Sequence, residues 1–102
     1  MITFNRTIEK EVLRLAQYYH VIMITGPRQS GKTTLCKKVF PDYEYINLED
    51  ETIRVDIDQS RKSYFVAHRH GLIIDEAQNM PEVFSIVQVV VDEYEDARFV
   101  LT

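Results

Sequence analysis

The chain has no tryptophan, one cysteine, and only three glycines and three prolines among its 102 residues. A single thiol, Cys36, excludes an internal disulfide and with it the small disulfide-stapled secreted scaffolds. So little glycine and proline argues against a disordered or low-complexity chain. Long apolar runs are missing: the longest candidates, Val21 to Ile24 and Val87 to Val91, fall far short of the ~20 residues that span a bilayer. Met1 to Lys10 is mixed polar and lacks the basic and apolar blocks of a secretory signal. A reducing, cytoplasmic setting without membrane contact is the expectation from these absences. An excess of positive charge is absent as well, the formal net charge being −4. Only a local patch of Arg61, Lys62, His68, Arg69 and His70 would allow contact with nucleic acid, and the overall charge does not support it.

What remains is an ordinary globular composition, 45% hydrophobic and 27% charged, in a length that fits one small domain. Ile8, Val12, Leu15, Ala16 and Tyr19 recur at helical spacing, with Thr7 as the expected N-cap. The unbroken run Val21 to Thr25, ending at Gly26, reads as a strand buried on both faces of a parallel sheet. A loop follows, then a helix from about Lys32 to Val39 that Pro41 closes. Tyr43 to Leu48 predicts a second strand, Glu49 to Ile57 a short acidic helix, and Ser60 to His70 a further helix stopped by Gly71. Leu72, Ile73 and Ile74 form the third strand. Beyond the Asn79-Met80-Pro81 turn, Val83, Phe84, Val87, Val90, Val91 and Tyr94 mark the apolar face of a helix, and Arg98 to Thr102 a last strand. Strands alternating with helices predict an α/β fold: a parallel sheet of about four strands flanked by helices, with a ligand site at the carboxyl ends of the strands.

Two stretches carry chemistry. Gly26-Pro27-Arg28-Gln29-Ser30-Gly31-Lys32-Thr33 matches G-x-x-x-x-G-K-[ST] between a strand and a helix, the context in which main-chain N–H groups and a helix N-terminus converge on phosphate oxygens. Lys32 would reach the β- and γ-phosphates, the Thr33 hydroxyl would ligate Mg²⁺, and Thr34 would bond the α-phosphate. Asp75 and Glu76 close the apolar run Leu72 to Ile74, at the end of a strand expected to neighbour the one before Gly26. By themselves they would read as solvated turn carboxylates. Beside the phosphate loop they read as a Walker B pair, with Asp75 holding Mg²⁺ opposite Thr33 and Glu76 activating water. Glu76 and Lys32 are thus the candidate catalytic residues. Gln78 is either a sensor of the terminal phosphate or an idle turn residue, Arg28 and Gln29 either flank the nucleotide or are solvated, and Arg6 and Arg54 read as surface charges. His20, His68 and His70 have no metal-like partner set, so no zinc site is expected.

Both motifs, with Tyr45-Ile46-Asn47-Leu48-Glu49-Asp50 between them and Ala77, Gln78 and Pro81 after them, give the chain a resemblance that spans nearly its whole length. It resembles the AAA_14 type of AAA ATPase domain, a P-loop NTPase of the class with an additional catalytic glutamate. The resemblance implies ATP and Mg²⁺ as ligands. In that family the strand after the Walker B helix ends in a threonine that senses the γ-phosphate, and Thr102 stands at that point. Family members usually continue through a further strand, the rest of the ATPase domain and a C-terminal domain. Residues 1–102 are therefore expected to be a partial, amino-terminal portion, with any arginine finger and adenine lid elsewhere.

The functional expectation is an Mg²⁺-ATP-binding core that hydrolyses ATP in the intact protein. The alternative is a nucleotide-dependent switch for a protein or DNA partner with incidental turnover. A small-molecule kinase is disfavoured because Glu76 beside Asp75 suits water activation and no acceptor pocket is evident. By the same resemblance the strand Val21 to Thr25 lies between the strand ending at Thr102 and a fifth strand not contained here. Its open edge carries no guarding Lys or Pro, so self-association is expected in preference to cover by the amino-terminal helix.

Overall fold

The computed structural model describes residues 6–25 and 31–102, and only the backbone of residues 6 and 7. Its elements alternate: α1 (Arg6–Tyr18), β1 (Val21–Met23), α2 (Lys32–Val39), β2 (Glu44–Asn47), α3 (Glu51–Ser60), α4 (Lys62–Ala67), β3 (Leu72–Asp75), a 3-10 turn (Ala77–Asn79), α5 (Glu82–Glu93) and β4 (Phe99–Leu101). The four strands form one sheet in the order β1-β4-β3-β2, parallel throughout. This is the α/β parallel sheet that the alternation predicts, in the P-loop NTPase-like form that the resemblance implies.

Period-two alternation sends successive strand residues to opposite faces. Ile46, Leu72, Ile74, Phe99 and Leu101 pack with Ile57 of α3, Phe65 of α4 and Val83, Ile86, Val87 and Val90 of α5. On the other face Ile22, Ile24, Ile73 and Val100 pack with Val12 of α1 and Leu35 and Cys36 of α2. The central strand β3 is buried along its whole length.

Local chemistry sets the helix ends. The Asp50 carboxylate accepts from the Thr52 N–H at 2.9 Å and caps α3, while Glu51 in its first turn complements the helix dipole. Lys37 and Lys38 do the same at the end of α2. Gly71, at φ 147°, leads into β3 with its Cα against the Tyr43 ring, so a Cβ there would collide with the aromatic side chain.

Several expectations are corrected. The helix starts at Arg6, so Thr7 lies within α1 and does not cap it. Strand β1 is not buried on both faces: it is the sheet edge, and Met23 is 54% exposed. Strand β3 does not neighbour β1, because β4 lies between them. Ser60 ends α3 and does not open α4; the break falls at Arg61, whose φ of 45° interrupts the helical path. On α5 the inner face includes Ile86, whereas Phe84 is 38% exposed. No described helix is long and apolar enough to cross a membrane.

Candidate functional site

The carboxyl ends of β2, β3 and β4 and the start of α2 meet at one edge of the sheet. Gly31 adopts the left-handed conformation (φ 86°, ψ 12°) and delivers the chain into α2, with Lys32, Thr33 and Thr34 in its first turn. Gly26, Pro27, Arg28, Gln29 and Ser30 lie outside the described residues. The half-buried Thr33 hydroxyl donates to Asp75 Oδ2 at 2.7 Å, and Thr34 faces solvent.

Asp75 is the one buried charged side chain among the described residues, 6% exposed. Burying a carboxylate is costly unless donors surround it. Three do so here. Besides Thr33, the Tyr45 hydroxyl donates to the same oxygen at 2.5 Å, and the main-chain N–H of Glu76 donates to Oδ1 at 2.9 Å. Burial, then the Asp75 hydrogen bond, pushes the Tyr45 phenol well above its usual range and keeps it a donor. The ammonium of Lys37 stands over the Tyr45 ring, 4.1 Å from its centroid. Just beneath, the buried Cys36 thiol is pushed up to about 11, first by desolvation and then by the negative charge of Asp75, with Lys32 opposing.

Glu76 follows in a left-handed conformation (φ 55°, ψ 45°), unusual for a residue with a Cβ. This turn brings the chain into the 3-10 segment, where the Gln78 amide donates to the Glu76 carboxylate and the Asn79 amide donates to the Glu76 carbonyl at 3.0 Å. Gln78 also lines a cleft of about 200 Å³ together with Ile24, Thr25, Lys32 and Thr102. The Thr102 hydroxyl is buried with no hydrogen-bond partner. Its main chain is fixed, since its N–H donates to Ile74 at 2.9 Å and its carbonyl accepts from Ala77 at 3.0 Å.

Residues 18–102 match the AAA_14 family, described as an AAA domain. The chain belongs to that family. It is a nucleotide-binding AAA-type domain. Among curated proteins, this AAA domain is similar to the uncharacterized proteins Rv2008c of Mycobacterium tuberculosis and Mb2031c of Mycobacterium bovis, each 36% identical over 86 residues. The matches cover 79% of this chain and 19% of each relative, so the AAA domain described here spans only about a fifth of their length. No solved structure matches the chain significantly.

Of the residues named from sequence, the AAA domain brings Lys32, Gln78 and Thr102 to one cleft and joins Thr33 to Asp75. Tyr45 is the residue that sequence reasoning missed. Its signal was there in the strand period: Tyr45 and Asn47 share a face of β2, and Asn47 pairs with Asp75. The basic patch is neutralised. Arg61 pairs with Asp58 (3.3 Å), Lys62 with Glu93 (2.6 Å), Arg69 and His70 with Asp96 (3.2 and 2.7 Å), and His68 with Glu44. Nor is Arg54 a free surface charge: it is half-buried and donates to the Leu48 carbonyl at 2.5 Å.

Proposed function

We propose that residues 1–102 are part of a P-loop ATPase domain that binds ATP with Mg²⁺ at this edge of the sheet, and that the whole protein hydrolyses it. The observation that carries the reading is the meeting of Thr33 and Asp75, 42 residues apart in sequence and joined at 2.7 Å. A hydroxyl and a carboxylate side by side, at the start of a helix that opens with lysine, are the hard oxygen donors that suit a small divalent cation beside phosphate.

In this reading the segment Gly26 to Gly31 wraps the phosphates with its main-chain N–H groups, Lys32 neutralises the β- and γ-phosphates, and Thr34 bonds the α-phosphate. Thr33 and Asp75 are the Walker-type ligands that would hold Mg²⁺. Bound there, the cation offsets charge on the phosphoryl oxygens. Glu76 orients the attacking water and accepts its proton, with Gln78 holding the Glu76 carboxylate in place. The unpartnered Thr102 hydroxyl in the same cleft as Lys32 supports its role as a sensor of the terminal phosphate.

Thermal unfolding tests the binding step. At one hundred times its dissociation constant Mg²⁺-ATP adds about 2.7 kcal/mol, which for a domain this small raises the melting temperature by roughly ten degrees or more. Lys32→Ala removes most of that shift. No shift in the parent chain, or an equal one in the variant, sinks the assignment. In the whole protein Glu76→Gln is expected to retain ATP binding and lose phosphate release.

Self-association through β1 is part of the same proposal. Among the described residues no strand pairs with its outer edge, and α1 packs on the face of β1 through Val12, which cannot supply a ladder of N–H and C=O partners. Light scattering across a concentration series checks it; a strict monomer would remove this part.

A further inference from the structure

Tyr45 has no role in the phosphate and metal chemistry outlined above, yet among the described residues it makes the shortest hydrogen bond to Asp75. Both lone pairs of Oδ2 are engaged, one by Tyr45 at 2.5 Å and one by Thr33 at 2.7 Å, while Oδ1 is held by the Glu76 N–H. The three donors differ in what they can give up. The Glu76 N–H belongs to the main chain and fixes only one end of the carboxylate. The Thr33 hydroxyl has to turn its lone pairs outward if it is to serve a cation. Tyr45 alone can keep Oδ2 aimed when Thr33 turns away. Its ring is half-buried on β2, and the Lys37 ammonium of α2 lies across it at 4.1 Å, so one aromatic side chain links the helix that opens at Lys32 to the strand beside Asp75.

We infer that Tyr45 is a positioning residue, whose hydroxyl fixes the Asp75 carboxylate toward Thr33 and thereby sets the divalent-cation affinity of that oxygen pair. The inference rests on the ATP and Mg²⁺ reading of the site. Hydrogen-bond donors behind a metal-binding carboxylate orient it and restrict its rotation, and their loss weakens metal binding without touching groups that contact only the rest of the ligand. A purely structural Tyr45 would instead affect folding alone.

The experiment is a Mg²⁺ titration of the chain with a fluorescent ATP analogue, mant-ATP, comparing the parent with Tyr45→Phe and Asp75→Asn. Tyr45→Phe is expected to raise the Mg²⁺ concentration at half-effect about tenfold, while mant-ATP affinity in EDTA stays at the parental value. An unchanged Mg²⁺ midpoint in Tyr45→Phe, with Asp75→Asn shifted, overturns the role of Tyr45 and leaves the ATP reading standing. Equal weakening with and without Mg²⁺ also overturns it, since that marks a general disturbance of the site. A parent chain that binds no mant-ATP in either condition overturns the ATP reading and this inference with it. A second measurement needs no destabilising change: 3-fluorotyrosine placed at position 45 alone reports the environment of the hydroxyl. Its ¹⁹F resonance is expected to move when Mg²⁺ joins bound nucleotide, following the same midpoint, and a resonance indifferent to Mg²⁺ counts against the proposal.

Discussion

The two faces of the sheet are built unequally. Among the described residues, the face covered by α3, α4 and α5 gathers fifteen buried ones, among them Phe65 and Phe99 in an edge-to-face pair, against eight on the face covered by α1 and α2. The heavier face holds β2, β3 and β4 in place. The lighter one carries β1 and α2, the two elements that flank the segment proposed to wrap the phosphates. Regions that must accommodate a ligand are drawn from the less stable parts of a fold, and the thinner packing lies on the side of the proposed site. Asp75 connects the two regimes: it belongs by backbone to the rigid central strand and by hydrogen bond to α2.

Paired truncations would break this comparison most sharply. Phe65→Ala, at a fully buried ring on the heavier face, is expected to cost about 4 kcal/mol. Val12→Ala on the lighter face is expected to cost about 1.5 kcal/mol, close to the transfer energy of the groups removed. Urea denaturation reads both, and equal losses would show that the faces contribute alike.

A smaller effect is expected at the two described residues with side chains that have positive φ. Arg61 (φ 45°) interrupts the helices of the heavier face, and Glu76 (φ 55°) turns the chain at the site. Glycine at either position relieves backbone strain and is expected to add about 1 kcal/mol to stability. The functional outcomes differ. Arg61→Gly should leave nucleotide binding unchanged, whereas Glu76→Gly should abolish phosphate release in the whole protein. If Glu76→Gly instead destabilised the chain, its conformation would not be strained.

The mildest effect concerns alkaline pH. Cys36, on the lighter face, is raised from its ordinary value of 9.0 to about 11. Its contribution is fully present below pH 9, where the thiol is protonated folded or unfolded. Between those two values only the unfolded chain ionises, so stability falls as pH rises through the window. Tyr43, Tyr45 and Tyr64, also raised, act in the same direction. Melting temperatures across this range should show a shallower decline in Cys36→Ala than in the parent, and parallel slopes would remove the thiol from the account.

What could be read from the sequence follows this inequality. Strand β3 and helices α2 and α5 stand out because their apolar runs or periods are complete, and α2 begins at Lys32 as its motif requires. Strand β1 reads as a doubly buried strand because Val21, Ile22 and Met23 are all apolar, but composition does not report the sheet order that leaves Met23 exposed. The break at Arg61 escapes notice because nothing in that residue type favours positive φ. In the site, Lys32, Thr33, Asp75 and Glu76 are named by spacing, since phosphate and metal chemistry restrict which residue types can serve. Tyr45 carries no such restriction. Its hydroxyl matters only through a contact with a residue on the next strand, and such contacts depend on register.

That register has a consequence for how the molecule is made. Strand β1 is made before the strand it joins: Val21, Ile22 and Met23 pair with Phe99, Val100 and Leu101, most of the described length further along. Until residues 99–101 are made, β1 has no partner among the described strands, while β2 and β3 can already pair with each other. Closing so long a loop is entropically costly and slow. Strand β1 is thus fixed in the sheet only after β4 has docked. A chain caught short of that step would carry only the β2–β3 pair of the sheet, so the proposed ATP binding would serve during biosynthesis as a readout of completed folding.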